Sequence, residues 1–471
     1  MIRTAFAAAT LLLAAAPAIA QTEQEALETR HDRALAAGYK ALMLCGAIAN
    51  AEANGATRTP ESVAQWELTG IQAPMSAHIA DLPYTIVRRP TGQIAHVAVR
   101  WAEDMPARIA AYYGPQTGCA ILPIGAPEDA SDPEQAVAVA PPAVAATPAR
   151  PAAATTRRGK ALDAVLAAAL GETYGKGRTT AVLVDRYDTK GAPGERRERY
   201  APGFDGRTPQ RTFSVAKSIA ATLVGAAVLS GEFSVEDPVA LGYWARSGSV
   251  DMRNAITIDH ALRMATGRYS DTPGNRTDAL YYGGSSVDET ATAWPVLHKP
   301  GTVFRYANND TLLAVKAIQK WIDFYPPHEF FAKLGMTGTV AETDYKGTYV
   351  LSSQVWSTAP DLAKLGQLYL NDGVLPSGER VLPEEWVKYV TTPSGPQPPT
   401  GTFGYGAGFW LLNKEGGVPS DTFAAVGNRG QYVVIVPSRK VVIVRRGEDP
   451  VGTGFDVAAF TRDVLAALAA E

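Results

Sequence analysis

The 471 residues carry 46% hydrophobic side chains, enough for two or three domains with a sizeable core, so the chain is not disordered as a whole. Its 44 Lys and Arg against 47 Asp and Glu leave a formal net charge of −3, which excludes the strongly basic class that binds nucleic acids or other polyanions.

Residues 1–20 read as a secretory signal, with Arg3 as the positive end, an apolar core from Phe6 to Ala16, and Ala18-Ile19-Ala20 as a small-residue cleavage site before Gln21. The core is too short to span a bilayer comfortably, and no cysteine follows the site to take a lipid anchor. No later apolar run reads as a membrane span, so the expected mature protein is soluble and periplasmic or secreted. The only cysteines are Cys45 and Cys119. In an oxidising compartment the default is one disulfide, the alternative being two free buried thiols. The six histidines are scattered without ligand-like spacing, so a metal site is not expected.

Residues 24–52 favour helix. Tyr84-Thr85-Ile86-Val87 and Ile94-Ala95-His96-Val97-Ala98-Val99, joined by Arg89-Pro90-Thr91-Gly92, predict a hairpin, and Ile109-Ala110-Ala111-Tyr112-Tyr113 a third strand. Residues 21–125 are thus expected to form a small α+β domain held by the disulfide, with His96 a strand residue rather than a ligand. Residues 126–158 have the Ala/Pro/Val composition of a semi-extended linker. A second domain is expected over 159–471. It opens with a helix from Leu162 to Leu170, a strand at Thr180–Val184, and a partner strand at Arg196–Tyr200 across the Gly191-Ala192-Pro193-Gly194 turn. A helical, loop-rich middle runs to about residue 400. Strands at Tyr405–Leu411, Tyr432–Val436 and Val441–Val444 and a helix over 455–470 finish it. The two ends then share one mostly antiparallel sheet flanked by helices, an α+β (α/β sandwich) fold, with the middle inserted between them.

Between the opening strands and the middle lies a helix with no polar face, Ile219 to Val228, ended by Leu229, Ser230 and a glycine, Gly231, suited to a left-handed cap. Ser214 and Lys217 stand at its start, one turn apart on the same face. A lysine there loses hydration, its pKa falls toward neutrality, and the neutral amine can take the Ser214 proton. The helix start adds free N–H groups and partial positive charge beside the attacking oxygen. The bland alternative is that Ser214 caps the helix while Lys217 extends its amine to water. His260, Ser352 and Ser353 read as structural or loop residues.

Three segments in order carry a family resemblance: Phe213-Ser214-Val215-Ala216-Lys217; Phe304-Arg305-Tyr306-Ala307-Asn308, a Tyr-x-Asn motif after Lys299-Pro300-Gly301; and Gly427-Asn428-Arg429-Gly430-Gln431 ahead of a strong strand. From about residue 159 to 467 the chain resembles the serine β-lactamase and penicillin-binding-protein superfamily. It is most similar to the class C-like branch that includes esterases and 6-aminohexanoate-dimer hydrolases. The resemblance implies a serine hydrolase without cofactor, acting on a small-molecule ester or amide through an acyl-enzyme on Ser214. Lys217 would be the general base, or would keep Tyr306 ionised so that the phenolate takes the proton and later returns it to the leaving group. Asn308 would bond the Lys217 amine or a substrate amide. The N–H groups of Ser214 and Gln431 would form the oxyanion hole, with Gly430 allowing close approach of the backbone. The third motif departs from the family, because Asn428 and Arg429 stand where relatives carry a Lys or His that holds a substrate carboxylate. That departure favours an ester or amide hydrolase of the aminohexanoate type over a β-lactamase or D-Ala-D-Ala carboxypeptidase. A catalytically silent relative that binds cell wall or a partner is the other alternative.

Overall fold

The computed structural model describes the backbone of residues 5–128, 159–188, 193–245, 250–269 and 277–470, with side chains from Thr22 onward except Pro193 and Ala245. Most of the expected linker, 129–158, lies outside the described residues, as do residues 1–4 and the turn residues 189–192.

The carboxy-terminal part is built on a seven-stranded sheet, antiparallel throughout. Its strands are β5 (Thr179–Tyr187), β6 (Pro193–Tyr200), β10 (Gly404–Tyr405), β11 (Trp410–Leu411), β12 (Phe423–Gly427), β13 (Gln431–Val436) and β14 (Val441–Gly447), in the order β10-β11-β12-β13-β14-β5-β6. The β14–β5 pairing, Val444 opposite Leu183, joins the two ends of this part into one sheet, as expected. One face carries α3 (Lys160–Ala169) and the closing helix Val457–Ala470, which bury Leu166, Phe460 and Val464 against Val182, Val184 and Val434. The other carries α4 (Val215–Leu229), Asn308–Ala317 and Ala359–Leu370. Strands of alternating in/out side chains sandwiched this way bury both faces, which is why their sequences are near-continuous runs of Val, Ile and Ala. Helix α4 lies between the sheet and the helical middle, so its residues from Val215 to Ala227 are all buried and its sequence shows no polar stripe. Gly231, with φ +81°, follows its C-cap.

Two features differ from the sequence expectation. The segment 405–411 is not one strand: Gly408 turns it between β10 and β11 at φ +79°, a place for glycine because a side chain there would also strike Ala221 and the Lys217 carbonyl. A second sheet, β7 (Gln210–Arg211), β9 (Val355–Ser357) and β8 (Val340–Ala341), was not expected, since strands of two and three residues leave no periodic signal.

The amino-terminal part holds α1 (Ala5–Ala53), α2 (Pro60–Trp66) and a four-stranded antiparallel sheet of β1 (Tyr84–Arg88), β2 (Ile94–Val99), β3 (Arg108–Tyr112) and β4 (Cys119–Ile121). Helix α1 takes in most of the residues read as a signal. Its stretch Thr22–Ala53 is long and apolar enough to cross a membrane, yet its most apolar window is wholly buried in the protein, as befits a core helix. Ala and Gly let α1 sit close: Gly46 lies against the Trp356 ring and Gly38 against the Tyr282 carbonyl. Leu42, Met43 and Ile48 share a core with Tyr281, Tyr282, Leu312 and Trp356 of the carboxy-terminal part.

Cys45 of α1 and Cys119 of β4 form the disulfide, across 74 residues of chain. Replacing both by alanine is expected to lower unfolding stability by about 4 kcal/mol, the loop-closure contribution of a span this long. The urea midpoint checks it, and an unchanged midpoint would contradict it.

Candidate active site

Strand β7 ends at Arg211, and the chain turns sharply into α4 through Phe213, whose φ is +47°. A non-glycine residue in that region is strained and is held by its surroundings. The turn puts Ser214 at the N-cap position, but its side chain makes no capping hydrogen bond, so the hydroxyl is left for other work. The N–H groups of Val215, Ala216 and Lys217 bond back to Thr212, Phe213 and Ser214, while the Ser214 N–H takes no part in these turns.

The Lys217 amine is 2% exposed, and it sits 3.0 Å from Ser214 Oγ, 2.6 Å from Asn308 Oδ1 and 2.9 Å from the Ser352 carbonyl. Desolvation lowers its pKa to about 7, and among the described residues no carboxylate pairs with it to hold the proton. The neutral amine has two N–H donors and one lone pair. Asn308 Oδ1 and the Ser352 carbonyl can only accept, so they take the two donors and the lone pair faces the Ser214 hydroxyl. Asn308 is oriented in turn, its Nδ2 donating to Thr277 Oγ1 at 3.2 Å.

Tyr306 leads into the helix Asn308–Ala317, its ring 5.1 Å from the Lys217 amine and packed against Trp410 at 5.4 Å and Tyr405 at 6.0 Å. Burial pushes its phenol up to about 12, and contacts with Ser214 and Trp410 offset only part of that rise. Such electrostatics leave the Lys217 amine able to take a proton near neutrality and the Tyr306 phenol able to give one.

The third motif is placed differently from expectation. Gly427 and Gln431 face each other across the three-residue loop 428–430, where hairpin strands exchange backbone hydrogen bonds, so the Gln431 N–H is directed at β12 and not at Ser214. The Gln431 side chain is wholly buried and accepts from Arg446 Nε at 2.7 Å. Gly430 (φ +79°) lies against Arg445 and Asp449. Arg429 is also turned away: its Nε pairs with Glu448 at 2.6 Å, and its Nη2 donates to the carbonyls of Trp66 and Thr69 at the end of α2. Such a placement caps α2 and supplies no charge to the cleft.

The segment that sequence reasoning did not single out on this side is β12. Strand alternation turns the Val426 N–H away from β13, toward the side where β11 pairs only as far as Ala424. The end of β12 reaches the serine turn: a Cβ on Gly427 would stand 3.1 Å from the Ser214 nitrogen. The signal was a five-residue apolar stretch, Phe423-Ala424-Ala425-Val426-Gly427, just ahead of the motif. Ser352 was missed too, because it works through its carbonyl, which no side-chain pattern reveals. His260 is structural, its Nδ1 accepting from the Thr257 N–H in a capping box.

Comparison with solved structures finds the same fold in a protein from Bacillus anthracis described as a 6-aminohexanoate-dimer hydrolase, at TM-score 0.51 and 18% identity over 62% of this chain and 79% of that one. A protein described as a β-lactamase from Bacteroides dorei matches at TM-score 0.53 and 19% identity, over 67% of this chain and 100% of that one. Residues 192–467, more than half of the chain and including Ser214, Lys217, Tyr306 and β12, match the family described as Beta-lactamase. By that match the chain belongs to the Beta-lactamase family of serine hydrolases.

Proposed function

We infer that this protein is an exported hydrolase that cleaves a small, neutral ester or amide through an acyl-enzyme on Ser214. The observation that carries the reading is the Lys217 amine, its two N–H groups matched by Asn308 Oδ1 and the Ser352 carbonyl and its lone pair left toward Ser214. Lys217 takes the hydroxyl proton as Ser214 Oγ attacks the substrate carbonyl carbon. The N–H groups of Ser214 and Val426 stabilise the oxyanion, a contribution of about 3 kcal/mol for each donor. Tyr306 protonates the departing oxygen or nitrogen, and the proton held by Lys217 then passes to the Tyr306 phenolate, which restores both groups. Water then attacks the acyl-enzyme ester, Lys217 takes its proton, and that proton is handed to Ser214 Oγ as the acid product leaves. With Arg429 spent on Glu448, the third motif offers no cation for a substrate carboxylate, which supports a neutral substrate over a lactam or a cell-wall peptide. The apolar amino-terminal stretch and the disulfide support export.

The test is a serine-reactive phosphonate applied to the whole protein, read by mass spectrometry of the tryptic peptide 212–217. An adduct on Ser214 supports the reading, and its absence would sink it. A panel of phenyl esters, short amides and one chromogenic lactam then ranks substrates, with the esters expected fastest. Tyr306→Phe should slow amide hydrolysis about 100-fold, the loss of a general acid, and slow an activated phenyl ester far less, because that leaving group departs without a proton. Equal losses on both would contradict the role given to Tyr306.

A further inference from the structure

We propose that Arg211 is a positioning residue for this hydrolysis, pinning the turn that carries Ser214 to the loop that carries the Lys217 acceptor; the proposal rests on the serine-hydrolase reading above. Arg211 closes β7, three residues before the nucleophile, and its side chain is 1% exposed. Burying a guanidinium is costly unless its charge is matched, and the buried Glu342 carboxyl answers this one only at longer range, with no hydrogen-bonded ion pair to it among the described residues. What surrounds it instead is the frame of the active site.

On one side the guanidinium stacks on the Phe213 ring at 4.7 Å, the residue at φ +47° that sets the direction of the Ser214 turn. On the other, its Nη2 donates to Ser353 Oγ at 2.8 Å, next to the Ser352 carbonyl that accepts from Lys217. The rings of Tyr281 and Tyr282 stand at 5.7 and 5.6 Å, and the Tyr281 hydroxyl shares a 2.6 Å hydrogen bond with Ser352 Oγ. Beneath it lies Met43 of α1, with its sulfur 4.0 Å from Nη1. One planar cation thus touches the neighbour of the nucleophile, the neighbour of the base's acceptor, and the amino-terminal core. A flat group that stacks on aromatic faces while donating along its edge suits arginine and not lysine. Without it the strained turn and the 352–353 loop are free to drift apart, and the Ser214 to Lys217 geometry with them. The reacting groups tolerate little drift, a misplacement of about 1 Å costing roughly 100-fold.

The test compares wild type, Arg211→Met, Arg211→Lys, Ser353→Ala and the Arg211→Met/Ser353→Ala double variant, all as the whole protein. It measures kcat and KM on a phenyl ester and the rate of phosphonate labelling, with thermal melts to keep every assay well below unfolding. Arg211→Met is expected to lower kcat and labelling rate together by about 100-fold while KM stays within about threefold. Arg211→Lys should recover little of that loss. Ser353→Ala removes a single oxygen and leaves the fold intact, so it reads the same link if Arg211→Met does not fold. It should lower kcat about tenfold alone and add almost nothing to Arg211→Met, the mark of a shared interaction. Unchanged kcat in folded Arg211→Met or in Ser353→Ala, or losses that multiply in the double variant, would overturn the proposal. Failure of the serine-hydrolase reading shows separately, as wild type that takes no phosphonate on Ser214, and overturns both.

Discussion

Lys217→Arg should reduce phosphonate labelling and ester hydrolysis by about 10⁴-fold, to the level of the Ser214→Ala control, because a guanidinium never gives up its proton and so cannot act as a base. The same chemistry fixes the pH profile of the wild type. Burial lowers the Lys217 amine from its ordinary alkaline value to about 7, so the basic form is scarce in acid and dominant above neutrality. The value of kcat/KM should therefore fall tenfold per pH unit below about 7 and level off above it. The plateau should persist through the alkaline range, since Tyr306 keeps its proton up to about pH 12. Were the Tyr306 phenolate the base instead, the rate would still be climbing at pH 10, and a stopped-flow profile on a neutral ester separates the two outcomes. A neutral substrate matters here, as its own ionisation would otherwise contribute a limb.

What could be read in the sequence was what side chains announce. The apolar helix after Ser214, the Ser214–Lys217 spacing, the Tyr306–Asn308 pair and the shared sheet are all side-chain patterns, and the structure brings those four residues around one amine. What escaped depends on the backbone or on sequence-distant partners. The Ser352 carbonyl has no residue signature, and the apolar stretch before Gly427 marks a strand without marking which of its N–H groups is left over. Gln431 and Arg429 were assigned to the substrate because of where they stand in the chain, but long-range partners decide their direction. Arg446 holds the Gln431 amide and also donates to the carbonyls of Gln210 and Arg211, while Trp66 and Thr69, more than 350 residues away in sequence, take the Arg429 guanidinium. Gln431 thus serves the site indirectly, by fixing the arginine that anchors β7 below the Ser214 turn. The amino-terminal residues enter the same way, through Met43 under Arg211 and the end of α2 under the β12–β13 hairpin, with no motif of their own.

Gly427→Ala should cost about 10³-fold in kcat, although the residue makes no side-chain contact and lies in a regular strand. Its added methyl would fall inside contact distance of the Thr212 carbonyl oxygen and 3.1 Å from the Ser214 nitrogen. One of the two segments must give way. The serine turn has little freedom to retreat, because Thr212 N–H bonds the Val355 carbonyl at 2.7 Å, Phe213 is stacked under Arg211, and Arg446 holds the two carbonyls before them. The end of β12 is the softer side, with no β11 partner beyond Ala424. It should swing outward and carry the Val426 N–H off the oxyanion position, a loss of about 10²–10³ for one donor, with the disturbed Ser214 N–H adding the rest. Overpacking should also lower stability by about 1–3 kcal/mol. Gly416→Ala is the control, since a methyl there meets nothing within 4 Å. If folded Gly427→Ala protein kept more than a tenth of wild-type kcat, β12 would not be the second wall of the oxyanion hole, and the donor paired with the Ser214 N–H would have to come from another strand.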